Sequence, residues 1–164
     1  MKLRYPFHLG FSIIEVVLAL GVTAISMLAI LGLLATGTQT NHTAVEQTSS
    51  SDILTAVAGD LRATPLTTPR GQAAISQQFG INIPANPVSS PAPTPTTLYF
   101  NAQGQSSTTL TASSRYQLNV SFVPNGPNAR TATFVVLRMT WPAAASAAAT
   151  STSSAETFVA LDRN

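Results

Sequence analysis

Cysteine is absent from this chain of 164 residues, only 9% of its residues are charged, and its one lysine is Lys2. Without cysteine there is no disulfide framework, thiol nucleophile, zinc-thiolate site or lipoprotein anchor. Beyond residue 10 the one histidine is His42, which with so few acids cannot supply the usual number of ligands to a metal. The six acids, Glu15, Glu46, Asp52, Asp60, Glu156 and Asp162, are too scattered to nominate a general acid and base. No GxxxxGK[ST] or GxGxxG phosphate loop occurs. Serine is plentiful, but a serine nucleophile needs a base and an orienting group, and His42 is the only candidate base. The chain therefore reads as a non-enzyme with no cofactor, no metal and no small-molecule substrate. Nucleic acid is also a poor partner. Past residue 10 the basic residues are Arg62, Arg70, Arg115, Arg130, Arg138 and Arg163, six against six acids, with no cluster to neutralise a row of phosphates.

What is abundant is apolar surface, and it is concentrated near the N-terminus. Phe11 to Ala35 holds one ionisable side chain, Glu15, and Val16 to Ala35 is a run of 20 residues without a charge. That is enough to cross a hydrocarbon core as a helix. Three readings compete for it. A secretory signal peptide has a shorter apolar run and a small-residue cleavage site after it. A plain signal anchor, with Lys2 and Arg4 held in the cytoplasm, accounts for the span but not for Glu15, since a carboxylate inside a membrane helix costs a few kcal/mol without a partner or a role. The third reading is that Gly10, Phe11 and Glu15 resemble a type IV pilin processing site, which implies a cut after Gly10 and so a cationic α-amino group on Phe11, four residues from Glu15. The two charges can then neutralise each other within one subunit or between neighbours, where an unpaired charge is far more costly.

The stretch Gly10-Phe11-Ser12-Ile13-Ile14-Glu15-Val16-Val17-Leu18-Ala19-Leu20 resembles the processing site of type IV pilins and type II secretion pseudopilins. The resemblance makes Met1 to Gly10 a prepilin leader, with Phe11 as the new, N-methylated terminus and Glu15 as the assembly acid. It implies prepilin peptidase, other pilin or pseudopilin subunits, an inner-membrane assembly platform and membrane lipid as partners. The implied location is a bacterial inner membrane with the head outside the cytoplasm, followed by a periplasmic or cell-surface filament. The EQT run at Glu46, Asp60-Leu61-Arg62, Leu98-Tyr99-Phe100 and Thr140-Trp141-Pro142 are similar to one subgroup, the Verru_Chthon cassette protein B family. Missing cysteine and sparse late acids depart from many major pilins and calcium-binding major pseudopilins, which favours a minor or specialised subunit.

The rest of the chain reads as the head on that anchor. Residues 11–35 are the membrane and assembly helix, and 36–62 its continuation: weak by propensity to residue 52, then amphipathic through Leu54, Val57, Ala58 and Leu61 at helical spacing, with Asp52, Asp60 and Arg62 off the stripe. In the pilin family one helix runs through both. From Phe11 to Arg62, 52 residues would give a rod of about 78 Å. Residues 63–97 hold seven of the 11 prolines and read as a long polyproline-like loop. Within it Ala73 to Phe79 reads as a short helical turn. The loop suits either a binding face or a tolerated surface insertion.

Residues 98–164 read as an antiparallel sheet of about four strands, giving an α+β, pilin-like architecture. The strands are Leu98–Asn101, leading into an Asn/Gly turn; Tyr116–Phe122 by strict alternation; Ala132–Trp141, expected at the centre; and Thr157–Leu161. Pro124 to Asn128 makes a turn, and the uncharged Ala/Ser/Thr tract 143–155 reads as a mobile loop. The function expected is a pilin-like structural subunit of a type IV pilus or type II secretion pseudopilus. The alternative is a membrane-anchored envelope binding protein that forms no filament. A DNA-uptake or adhesion minor pilin is a third variant that differs from the first only in ligand.

Overall fold

The structure is a computed structural model and describes residues 10–126, 132–144 and 153–163. One helix, α1 (Ile13–Ala63, 51 residues), opens it. Seven strands follow: β1 (Ala74–Ile75), β2 (Asn82–Ile83), β3 (Thr96–Phe100), β4 (Ser106–Ser107), β5 (Tyr116–Val123), β6 (Thr133–Trp141) and β7 (Ser153–Leu161). β1 and β2 pair as a two-stranded sheet; the others form an antiparallel sheet in the order β4-β3-β5-β6-β7. The class is α+β, a long N-terminal apolar helix followed by antiparallel sheets that its C-terminal part packs against. The chain divides into two compact units, ending and beginning at Ala44 and Val45.

In the first unit α1 is uninterrupted despite Gly21, Gly32 and Gly37 and the polar run Thr36 to Thr43. Hydroxyls in this stretch are satisfied by the helix itself: Thr23 Oγ1 donates to the Ala19 carbonyl at 2.7 Å, Ser26 Oγ to Val22 at 2.8 Å and Thr36 Oγ1 to Gly32 at 3.1 Å. This back-bonding lets a helix carry hydroxyls where water is scarce.

The second unit has its own core. Leu54, Val57, Ala58 and Leu61, the predicted stripe, are buried together with Ile53 against Leu98, Phe100, Leu118, Val120, Leu137, Met139 and Val159. On β5 the alternation predicted from sequence gives a strictly alternating burial pattern up to Phe122. Trp141 lies edge-on to Tyr116, with ring centroids 6.1 Å apart. β6 is paired on both sides, but the middle strand of the five is β5. The sheet has five strands where about four were expected, because the turn after β3 returns as the two-residue β4. Asn101 Oδ1 accepts from the Gln103 and Gln105 amides at 3.0 and 2.9 Å and so shapes that turn. β7 begins at Ser153 rather than Thr157, so the end of the Ala/Ser/Thr tract is strand. Residues 145–152 of that tract, and Pro127 and Asn128 of the predicted turn, lie outside the described residues.

The largest departure is in the Pro-rich segment. It keeps a short ladder, Ala74 opposite Ile83 and Ile75 opposite Asn82, and the expected helical turn at Ala73–Phe79 is instead β1 followed by a turn at Gln77–Phe79. Nor is the segment only an exposed face or a tolerated insertion, because Ile81, Ile83 and Val88 are buried in the core. Proline excludes a long ladder, but three aliphatic side chains placed between the prolines are enough to fasten the loop. Gly71, at φ +80 and with the Asn86 carbonyl 3.1 Å from where a Cβ would stand, is needed for its conformation.

Three polar groups pin the unit together. Asp60, expected off the apolar stripe, is buried, and its two carboxylate oxygens accept the amides of Gln78 and Phe79 at 3.0 and 3.1 Å. Arg163 is buried and donates to the carbonyls of Thr64, Pro65 and Gln72. The first two lie just past the end of α1, where helix carbonyls lack intrahelical partners. Arg115, at the start of β5, meets Glu46 on α1 at 2.7 Å. Replacing Asp60 with Ala leaves two turn amides without acceptors, so Asp60→Ala is expected to lower head stability by about 2–3 kcal/mol. The exposed Asp52→Ala should change it by no more than about 0.5 kcal/mol. Urea unfolding compares the two; equal effects would mean that the Asp60 contacts contribute little.

Candidate functional site

The residues singled out by sequence are Gly10, Phe11 and Glu15, and all three are described. Gly10 and Phe11 precede the helix, and Ser12 is its cap residue: the Ser12 carbonyl accepts the amides of Glu15 at 2.9 Å and Val16 at 3.2 Å. Glu15 thus stands in the first turn of α1, where a carboxylate is favoured by the positive end of the helix dipole. Ser12 and Glu15 also have the Ser-x-x-Glu spacing of a capping box. That local signal was present in the sequence and went unread, and it gives Glu15 a helix-starting role beside any intermolecular one.

Phe11 and Glu15 line one shallow groove on the helix surface, with Val16, Ala19, Leu20 and Thr23. The structure therefore puts Glu15 on the same face as Phe11. Two of the lining residues, Ala19 and Thr23, are small. Among the described residues nothing lies within 4 Å of where a Cβ at Gly10 would stand, and its φ is not in the left-handed region. Neither packing nor backbone conformation in this structure calls for glycine there.

The surface around this site is apolar and uncovered. Phe11 is 83% exposed and Ile13 85%, and the large side chains from Ile14 through Leu34 are exposed as well. α1 is long and apolar enough, near the N-terminus, to cross a membrane, and none of its apolar window is buried within the chain. Soluble monomers rarely expose a contiguous apolar patch beyond a few hundred Å². This one extends over more than 20 residues on every side of the helix, a surface consistent with a membrane anchor.

Among the described residues no group of three or more His, Cys, Asp or Glu side chains is placed to hold a metal ion. His42 lies on α1 in the first unit. Sequence reasoning missed Asp60, Arg163 and Asn125 as organising side chains. Asn125 accepts the Val88 amide and donates to Asn86 Oδ1, tying the Pro-rich segment to the end of β5. A single polar residue off an apolar stripe looks solvated in sequence, and only the folded partner reveals otherwise. Comparison with protein-family models, curated proteins and solved structures gave no match for this chain.

Proposed function

We infer that the chain is a pilin-like structural subunit, a minor pilin or pseudopilin, and not an enzyme. In this reading prepilin peptidase cuts after Gly10 and Phe11 becomes the N-methylated terminus. Residues 11–35 hold the subunit in a bacterial inner membrane until an assembly platform moves it into a type IV pilus or type II secretion pseudopilus. The observation that carries the reading is the juxtaposition at the start of α1: one acid, Glu15, beside Phe11 on an otherwise uncovered apolar helix, behind a glycine that no other described residue crowds.

The physical account has two stages. In the membrane, lipid covers the apolar side chains and the α-amino group of Phe11 offsets the charge of Glu15. In a filament, helices cover one another, and Glu15 of one subunit can take the terminal amine of a neighbour, which fixes the axial register because mismatch leaves a charge unpaired in low dielectric. The head, with a self-contained core, needs no change of fold between the stages.

Shearing separates this reading from a membrane-anchored binding protein that forms no filament. Cells expressing the chain should release it with sheared filaments, in amounts that fall to background when the assembly platform is deleted. Retention of all of it in the membrane fraction, with or without the platform, would favour the anchored protein.

A further inference from the structure

We propose that the free edge of β7, with the neighbouring face of α1, is a docking site for an extended segment of a partner polypeptide, added antiparallel to β7 as a further strand. β7 is nine residues long and lies at the end of the five-stranded order, so among the described residues nothing pairs with its outer edge. Such an edge presents a row of unpaired amides and carbonyls. Proteins commonly blunt it with lysine, proline or a bulge. The β7 sequence, Ser153-Ser154-Ala155-Glu156-Thr157-Phe158-Val159-Ala160-Leu161, has no lysine or proline, and its pairing with β6 runs in unbroken register from end to end. The opposite edge of the sheet is only the two residues of β4.

Beside this edge runs a groove whose other wall is α1, through Ser51, Leu54, Thr55, Ala58 and Arg62. It therefore offers both things that strand addition uses, a main-chain ladder and pockets for alternate side chains. Inward side chains of the added segment would meet Ser51, Leu54, Thr55 and Ala58, with the exposed Arg62 toward one end and the exposed Glu156 of β7 also on the groove. Outward ones would lie beside Phe158, which is 69% exposed. The fitting partner is an extended segment with small uncharged residues facing in, an apolar residue facing out, and an acid placed against Arg62.

A second copy of this chain fits the edge poorly, and this step rests on the membrane-anchored reading above. Arg163, just after β7, reaches the carbonyls just after α1, while Arg115, just before β5, reaches Glu46. β5 and β7 are parallel to each other, each being antiparallel to β6, so α1 and β7 run the same way. Pairing β7 with its own copy about a two-fold axis would set the Val45–Ala63 part of α1 antiparallel in the two copies, against the common polarity of subunits anchored side by side. A copy in the same orientation would present β4, two residues long and parallel to β7.

Amide hydrogen exchange on the full chain in lipid nanodiscs tests the proposal. The probe is a synthetic nonapeptide of alternating valine and threonine with an aspartate near its N-terminus, which antiparallel addition brings toward Arg62. At about 1 mM peptide, exchange across Ser153–Leu161 should slow about tenfold, with no change on the β4 side. Arg62→Glu should weaken the effect about threefold, and a lysine in place of the peptide's aspartate should restore it; a merely structural Arg62 would not show that rescue. Three results would overturn the proposal: unchanged exchange in β7, equal slowing by the peptide with every amide N-methylated, or slowing without peptide that grows with chain concentration, which would mean that a second copy fills the edge. The terminus of the chain, read separately by mass, reports on the anchored reading whatever the edge does.

Discussion

Gly10→Leu should leave the chain uncut in the membrane, at its full precursor mass, while the head folds as before. The expectation follows from two facts that point the same way. Among the described residues, a side chain at residue 10 meets nothing within 4 Å, and the backbone there needs no left-handed conformation. Leucine therefore costs the fold nothing, and head stability should stay within about 0.5 kcal/mol of the parent. A peptidase site is different, because the bond to be cut must lie extended against the catalytic groups, where a displacement near 1 Å can cost on the order of 100-fold in rate. A glycine at the residue before the cut admits the closest approach. Mass or gel mobility of membrane-extracted protein separates precursor from product. Equal maturation of Gly10→Leu and the parent would remove the explanation for that glycine.

Glu15→Ala should have the opposite profile, with maturation normal and assembly lost. Removing a carboxylate from an apolar helix makes membrane insertion easier by a few kcal/mol at most, so the anchored population should not fall. What disappears is the partner of the Phe11 amine in the neighbouring subunit. Each 1.4 kcal/mol of lost contact per subunit shifts incorporation about tenfold, and a charge left unpaired in low dielectric exceeds that. Incorporation into sheared filaments should drop at least tenfold.

The capping position of Glu15 supplies a competing account, in which the acid only starts the helix. Glu15→Gln distinguishes them, since glutamine at the same position still suits a capping box and lacks only the charge. Loss of assembly in both variants marks the charge as the working feature. Assembly that survives in Glu15→Gln and fails in Glu15→Ala would assign Glu15 to the helix start, whose dipole term is about 0.3–1 kcal/mol.

Much of this molecule is legible in its sequence, for identifiable reasons. The apolar run and the Leu54–Leu61 stripe are periodic over several turns, and β5 alternates without a fault, so each announces both its type and its buried face. β6 was also plain, with Val135, Leu137, Met139 and Trp141 all buried on one side. Short or interrupted elements were not legible. β1, β2 and β4 have two residues each, too few for any period. Proline density masked Ile81, Ile83 and Val88 as core residues. β7 looked shorter because Ser153 to Ala155 has the composition of a loop, and pairing with β6 outweighs that weak preference.

For the site, the resemblance of residues 10–20 to a pilin processing site singled out Gly10, Phe11 and Glu15, and the last two line one groove. Spacing could not tell that no other described residue crowds Gly10, whereas the Ser-x-x-Glu spacing of Ser12 and Glu15 did carry the helix cap. Asp60 and Arg163 were out of reach for another reason: their partners are main-chain amides and carbonyls, 18 and 19 residues away for Asp60 and 91 to 99 for Arg163. Main-chain partners have no sequence signature.

The mass of the N-terminal peptide of the protein recovered from its own membranes tests the central claim most directly. The account predicts a chain that begins at Phe11 and carries one methyl group on its α-nitrogen. A chain that begins at Met1, or one cut near Ala35, would contradict it and make the protein an ordinary anchored or secreted one.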